Sequence, residues 1–334
     1  MGNQRTMKAA IFTRYGAPEG IAIGEVSVPE PKPNEVRVRV RAATVTAGDT
    51  EIRRMAIPAW LRLPFRAYAG LFRPKRIPIL GMELAGEVDA VGTDVTRFAA
   101  GDAVVAATGF GFGAYAEYAC LREDGVIVRK PEGLSFGQAA ALPVGAMEAL
   151  ALVTRAGVAT GERVMVYGGS GSIGSYAIQL AKRAGAEVST VCGPGTFDLM
   201  HSLGASGVID YTTGDFERDE STWDVIIDAV GKSPFGACVR KLAPGGRYVL
   251  ANPRLGQLIR GVVIGWRGRG RVLAGSAEER AGDLEHLCRL ASRGELRVIV
   301  DRTYVLDEIV DAHRYVDTGT KIGNVVIAVG PPRP

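Results

Sequence analysis

Val164 to Gly174 reads Val-Met-Val-Tyr-Gly-Gly-Ser-Gly-Ser-Ile-Gly, a short apolar run ending in glycines spaced Gly169-x-Gly171-x-x-Gly174. A helical stretch follows, with an apolar stripe through Ile173, Ala177, Leu180 and Ala181. Few local patterns restrict a fold as much as a strand, a glycine turn and a helix in this order. The first glycine lets the chain leave the strand sharply, the second lets backbone approach a pyrophosphate, and the third lets the helix pack closely on the sheet. The helix N-terminus then offers unpaired N–H groups and the positive end of its dipole to an anion. Gly169, Ser170, Gly171, Ser172, Ile173 and Gly174 are therefore the expected dinucleotide contacts.

The surroundings decide what such a turn belongs to. A chain of 334 residues exceeds the size at which single cores stop growing, so two domains are expected. From Lys8 to about Lys130 it carries short β-like runs at Lys8–Phe12, Glu35–Ala42, Leu84–Val91 and Ala103–Ala107, broken by Gly and Pro. In Glu35–Arg41 valines alternate with charged residues, as in a half-buried strand. Residues 51–80 read as irregular, with five Pro or Gly and seven Arg or Lys against one acid. Beyond Pro143 the rhythm becomes alternating helix and strand, which argues a doubly wound parallel sheet. Ala139–Ala156 reads as one helix, and Ala277–Ser292 as a late one. The expected organisation is an antiparallel β domain formed by 1–130 and 277–334, with an α/β nucleotide domain, 131–276, inserted between its two pieces.

Composition excludes several classes. With 47% hydrophobic and 23% charged residues the chain has the makings of a sizeable core, and a net charge of +4 implies no obligatory nucleic acid partner. Cys120, Cys192, Cys238 and Cys288 form no CxxC pair, the amino terminus lacks a signal-peptide core, and no run suits a membrane span. A cytoplasmic protein is expected. His201, His286 and His313 are far apart on expected helices and read as exposed rather than catalytic.

Several stretches together resemble the medium-chain dehydrogenase/reductase superfamily, above all its zinc-free, quinone oxidoreductase-like branch. They are MKAAIFTRYGAPE, GMELAGEVDAVGTDVTRFAAGDAVVA, GAYAEYAC, GLSFGQAAALPVGAMEAL, the glycine turn, LGASGVIDYT, and DAVG at Asp228–Gly231. The resemblance implies a Rossmann domain inserted in a GroES-like catalytic domain, an active site in the cleft between them, and a homodimer. It also implies cofactor contacts at Ala229, Val230, Leu250 and Asn324.

Catalytic zinc needs about three Cys, His or acidic ligands with an open position. Where zinc-containing relatives have Gly-His-Glu, this chain has Gly81-Met82-Glu83; the first-ligand region is Val45-Thr46-Ala47-Gly48-Asp49, and the four-cysteine lobe is absent. No zinc is expected, which disfavours alcohol or aldehyde chemistry. The second Rossmann strand ends Val191-Cys192-Gly193-Pro194-Gly195-Thr196, without the acid that binds a ribose 2′-hydroxyl. NADPH is favoured, NAD(H) remains possible, and Cys192, Thr196 and Tyr211 are the expected contacts, Tyr211 matching a phosphate-contacting tyrosine of similar reductases.

A metal-free site suits acceptors that delocalise incoming charge themselves, such as quinones and α,β-unsaturated carbonyls. Thr46 stands where many relatives have an asparagine beside the nicotinamide, and its hydroxyl can donate to a developing oxyanion, with Asp49 orienting it or a water. The structural alternative makes Thr46 a turn residue and Asp49 a helix N-cap. Glu83 reads as an ion-pair partner, Met147 replaces a threonine usual in relatives, and Thr196 replaces the lysine proposed as proton donor in enoyl reductases. The basic segment Arg53–Arg76, with Trp60, Phe65, Tyr68 and Phe72, and a second cluster at Arg260–Arg271 leave three readings open: a cleft cap, a surface for an acidic substrate or membrane, or solvated loop arginines. A cofactor-binding scaffold or RNA-associated protein with little turnover is the alternative from another class.

Overall fold

Valines at alternate positions build the central strand of the larger sheet of the β-rich unit. In the computed structural model, which describes residues 5–218, 220–266, 270–275 and 278–330, β1 (Thr6–Phe12) pairs antiparallel with β2 (Ile21–Ser27). The long strand β3 (Glu35–Thr44) buries Val36, Val38 and Val40. Its other face carries Arg37 and Arg39, both bonded to Asp89, and Arg41, bonded to Glu87. Period-2 alternation thus fixes both the core face and the cross-strand ion pairs.

Helices α1 (Ala47–Arg54) and α2 (Ala59–Ala69) follow, then β4 (Glu83–Val91), β5 (Ala103–Ala107), β6 (Tyr118–Arg122), β7 (Ile127–Arg129) and α3 (Phe136–Ala140). The expectation of an irregular segment over 51–80 is corrected: Leu61, Phe65 and Ala69 recur every four residues, Phe65 and Ala69 join the core, and the helix forms despite Pro64. The expected single helix Ala139–Ala156 is likewise two, because Pro143 disfavours helical backbone at Leu142 and starts a new helix.

That new helix is α4 (Pro143–Ala156), followed by β8 (Arg163–Tyr167), α5 (Ser172–Arg183), β9 (Glu187–Cys192), α6 (Phe197–Ser202), β10 (Gly207–Asp210), α7 (Asp215–Arg218) and β11 (Trp223–Asp228). Then come α8 (Phe235–Arg240), β12 (Leu242–Leu250), α9 (Leu255–Trp266), β13 (Arg271–Ala274), α10 (Ala281–Ser292), β14 (Val300–Val305), α11 (Ile309–Asp317) and β15 (Asn324–Ala328). Helix α9 occupies most of the stretch that reads in sequence as a basic cluster; residues 267–269 of that cluster lie outside the described residues.

Two units result. One contains residues 1–144, 279–293 and 300–334; the other contains 145–278 and 294–299. Residues 131–144 therefore group with the β-rich unit, beyond the boundary expected near Lys130, because α3 packs on β3 and β4. The expected second boundary, near Ser276, lies outside the described residues. In the β-rich unit the sheet order is β14-β15-β3-β4-β5-β7, with β6 also on β3. It is antiparallel except for β14 and β15, which run parallel because α11 crosses between them. The other unit has a fully parallel sheet, order β10-β9-β8-β11-β12-β13. Its order reverses between β8 and β11, the switch point at which doubly wound sheets bind ligands beyond their carboxyl ends. No helix among the described residues is long and apolar enough to cross a membrane.

Candidate active site

At the carboxyl end of β8 each glycine has its own steric reason. Gly168, one residue ahead of the motif, takes the positive φ of +90° that turns the chain, with Val230 packed where its side chain would lie. The turning role expected of Gly169 thus belongs to its neighbour. A Cβ on Gly169 would meet Thr190 Oγ1 at 2.0 Å, and one on Gly174 would meet the Gly168 carbonyl oxygen at 2.1 Å. Gly171 differs: a Cβ there would have no described protein atom nearer than 3.6 Å. Packing requires Gly169 and Gly174 but leaves the space over Gly171 open. Helix α5 starts from Gly171 with no side chain capping it, so its first-turn N–H groups face that space. Ser170, Ser172 and Ile173 are half-buried around the turn. Such a cradle fits a diphosphate.

Neighbouring strand ends bring the other expected contacts alongside. Cys192 ends β9 and is buried; Thr196 donates to the Gly193 carbonyl at 2.9 Å; the Tyr211 ring lies against Gly193. Beyond β11, the Asp228 carboxylate accepts from the N–H groups of Val230 (3.1 Å) and Gly231 (2.8 Å), and from Ser233 N and Oγ. That network shapes the loop carrying Ala229 and Val230. Leu250 is fully buried in the core, so only its backbone remains for a ligand. Asn324 belongs to the β-rich unit, buried at the start of β15. One carboxylate escaped the sequence reading: Asp210 pairs with Cys192 in register, bringing an acid beside the tip of β9 from the next strand. Its Oδ1 accepts from both Thr212 N and Thr212 Oγ1 at 2.8 Å.

In the β-rich unit, Thr46 is the N-cap of α1 and Asp49 is the third residue of the helix, not the cap. The two close a capping box: Asp49 N donates to Thr46 Oγ1 (3.1 Å) and Thr46 N to Asp49 Oδ2 (3.0 Å). Thr46 Oγ1 and Asp49 Oδ2 also lie 2.6 Å apart. Gly81 N donates to Asp49 Oδ1 at 3.1 Å, and the Asp49 side chain is 0% exposed. Burial pushes its carboxyl above the usual range, against the opposing pull of the bonds from Thr46, Tyr115 and Gly81.

Glu83, at the head of β4, is equally buried. Its oxygens accept from Thr44 Oγ1 and from Val144 N (2.6 Å), the latter in the first turn of α4. Desolvation raises it to about 7, with the Asp49 charge adding and Lys321 opposing. Lys321 itself is pushed down to about 8, mainly by burial. The expected role of ion-pair partner gives way to a hydrogen-bonded buried carboxyl. Tyr115, whose hydroxyl donates to the Thr44 carbonyl at 3.1 Å, completes this group. Depth is what the sequence hid; Tyr115 and Lys321 carry no local signal of it.

His313 is a further correction, being buried rather than exposed. It sits edge-on to Tyr115 and accepts from Arg53 Nε at 3.3 Å, and desolvation lowers it to about 3. His201 and His286 are exposed, and all four cysteines are free. Met147 is buried. No group of three or more His, Cys, Asp or Glu suited to a metal occurs among the described residues. With Thr46 and Met82 at the positions where zinc-containing relatives supply ligands, the donor set does not fit catalytic zinc.

Known proteins resemble this chain along most of its length. Residues 32–132 match the family described as "Alcohol dehydrogenase GroES-like domain", and residues 203–327 the family described as "Zinc-binding dehydrogenase". The chain is 31% identical over 335 residues to a quinone oxidoreductase of Pseudomonas aeruginosa, covering 95% of this chain and 98% of that protein. It is 31% identical over 343 residues to the 2-methylene-furan-3-one reductase of Solanum lycopersicum, covering 96% and 79%. The solved quinone oxidoreductase from Coxiella burnetii superposes with a TM-score of 0.88 at 30% identity, covering 98% of this chain and all of that one.

Proposed function

This chain belongs to the medium-chain dehydrogenase/reductase family, in its quinone oxidoreductase-like branch, and from that membership we propose that it reduces quinones or α,β-unsaturated carbonyls with NADPH and without zinc. That it is an NAD(P)H-dependent oxidoreductase acting on a small molecule follows from the relatives themselves. The finer reading rests on one observation: the buried Asp49 carboxyl held 2.6 Å from the half-buried Thr46 hydroxyl, in the region where metal-dependent relatives carry ligands.

A bound reduced nicotinamide supplies hydride, which converts a quinone or enone into an oxyanion that still needs one proton. Thr46 Oγ1 can meet that oxyanion with a hydrogen bond. When Asp49 is ionised, the hydroxyl hydrogen is held on its carboxylate; when Asp49 is protonated, it donates to Thr46 Oγ1 and frees the threonine hydrogen for the acceptor. The desolvation that raises Asp49 favours this second state. Proton delivery through the pair needs no lysine, in keeping with Thr196 in the lysine's place.

For the dinucleotide, the open space over Gly171 and the uncapped start of α5 support diphosphate binding. Tyr211 beside Gly193 and the absence of an acid directly after Cys192 support a 2′-phosphate, while Asp210 opposes it, so the preference for NADPH over NADH is modest. A homodimer accompanies this reading by family likeness alone.

The test is dinucleotide consumption across quinones, enones, enals and aldehydes, with NADH and added zinc as controls. Quinones or enones should turn over without response to zinc. Asp49→Asn should lower kcat on the order of 100-fold with little change in KM, and remove the decline in rate as pH rises through the raised Asp49 pKa. Thr46→Ser should retain most activity and Thr46→Ala should not. Unchanged turnover in both Asp49→Asn and Thr46→Ala would remove the pair from the mechanism, and zinc-dependent alcohol oxidation would overturn the reaction class.

A further inference from the structure

Between Ile52 and Met82 the chain contains no acidic residue and seven Arg or Lys. Two of the seven are spoken for: Arg53 is buried on Asp317 and Gly16, and Arg54 lies 3.4 Å from the same aspartate. Arg62, Arg66, Arg73, Lys75 and Arg76 are exposed, and none pairs with a carboxylate among the described residues. Arg62 reaches only the Ile57 carbonyl, Arg66 lies over Tyr15, and Arg76 lies over Tyr68.

Apolar side chains protrude among these cations. On α2, Phe65 and Ala69 turn inward, so Leu63 stands on the opposite face and is 70% exposed. The turn that follows presents Leu71 and, at 88% exposed, Phe72. With Tyr68, four large apolar side chains are exposed within ten residues. Scattered surface hydrophobes need no explanation, but four within ten residues, interleaved with cations that pair with no carboxylate among the described residues, do.

We propose that residues 62–76 form a docking surface for an anionic lipid bilayer. Leu63, Leu71 and Phe72 would enter the boundary between headgroups and acyl chains, while the long Arg and Lys stems keep their charges at the phosphate level. A second copy of this surface would set five like charges against five. A nucleic acid backbone would engage the cations but leave the leucines in water. The bilayer is the partner that satisfies both halves of the surface, and this inference does not depend on the acceptor assigned above.

The experiment is co-sedimentation of the full chain with phosphatidylcholine vesicles containing or lacking phosphatidylserine, at low and high salt. Binding is expected with phosphatidylserine at low salt and should weaken at high salt. Arg73→Ala, Lys75→Ala and Arg76→Ala together should lower partition on the order of 100-fold, and Leu71→Ser with Phe72→Ser should lower it at equal charge. Both variants should reduce a water-soluble acceptor at the wild-type rate. No partition onto phosphatidylserine vesicles overturns the proposal, as does partition indifferent to both variants. Pelleting without vesicles that the Leu71→Ser, Phe72→Ser variant abolishes would instead identify a contact between copies. Retention by RNA without vesicle binding would also overturn it, and loss of soluble turnover in both variants would make the segment part of the reaction site.

Discussion

The glycine turn after β8 and the buried carboxyls of α1 and β4 are built by opposite means. The turn acts through backbone: two glycines are demanded by atoms at about 2 Å, and a third leaves room for a ligand. The carboxyl group acts through side chains drawn from β3, α1, β4 and the loops before β6 and β15, and its chemistry depends on being kept from water. A backbone site is written in consecutive residues, whereas a desolvated site exists only once distant strands close over it.

The largest effect should separate the glycines of the turn. Gly174→Ala forces a Cβ against the Gly168 carbonyl and should cost about 1–3 kcal/mol of stability along with dinucleotide binding. Gly171→Ala meets no described protein atom closer than 3.6 Å and should melt like wild type. Its dinucleotide affinity should nevertheless fall at least about tenfold, or about 1.4 kcal/mol, by fluorescence titration. Equal melting and equal affinity in both variants would break the distinction between packing glycine and ligand glycine.

A smaller effect should reveal the desolvated carboxyl. Because the fold raises Glu83 from 4.5 to about 7, the folded state holds its proton more tightly than the unfolded chain. The stability it contributes is present below pH 4.5 and is lost as pH rises through the window to about 7. Glu83→Gln retains an acceptor for Val144 N and cannot titrate. Compared with wild type, it should show a flatter melting temperature between pH 5 and pH 7.5, the difference amounting to no more than about 3 kcal/mol. Parallel melting curves for the two proteins would mean that Glu83 is not desolvated.

The smallest effect concerns the acid that strand pairing adds to the turn's side of the comparison. Asp210→Asn should raise the ratio of NADPH to NADH affinity by about threefold, the size of a partly screened charge contact. An unchanged ratio would show that Thr212 ties the carboxylate away from the ribose.

Much of this is legible in the sequence. Val36, Val38 and Val40 announced a core face, and the end of the Lys8–Phe12 run and the bounds of Ala103–Ala107 coincide with those of β1 and β5. Helix α2 is hidden in the sequence because its proline density outweighs the four-residue spacing of Leu61, Phe65 and Ala69. Thr46 and Asp49 stand out as a pair in the sequence, but which of them caps the helix depends on where α1 begins, a difference of three residues. His313 looked like any helical histidine until Arg53 and Tyr115 enclosed it.

By itself, then, the sequence determined the change from short β runs to alternating helix and strand, and the glycine turn, since each is a property of neighbouring residues. Only the tertiary structure decided which glycine turns the chain, that Asp210 stands beside Cys192, and that Asp49 and Glu83 are shut away from water. Desolvation and register are relations between segments far apart in the chain, and such relations come into being with packing.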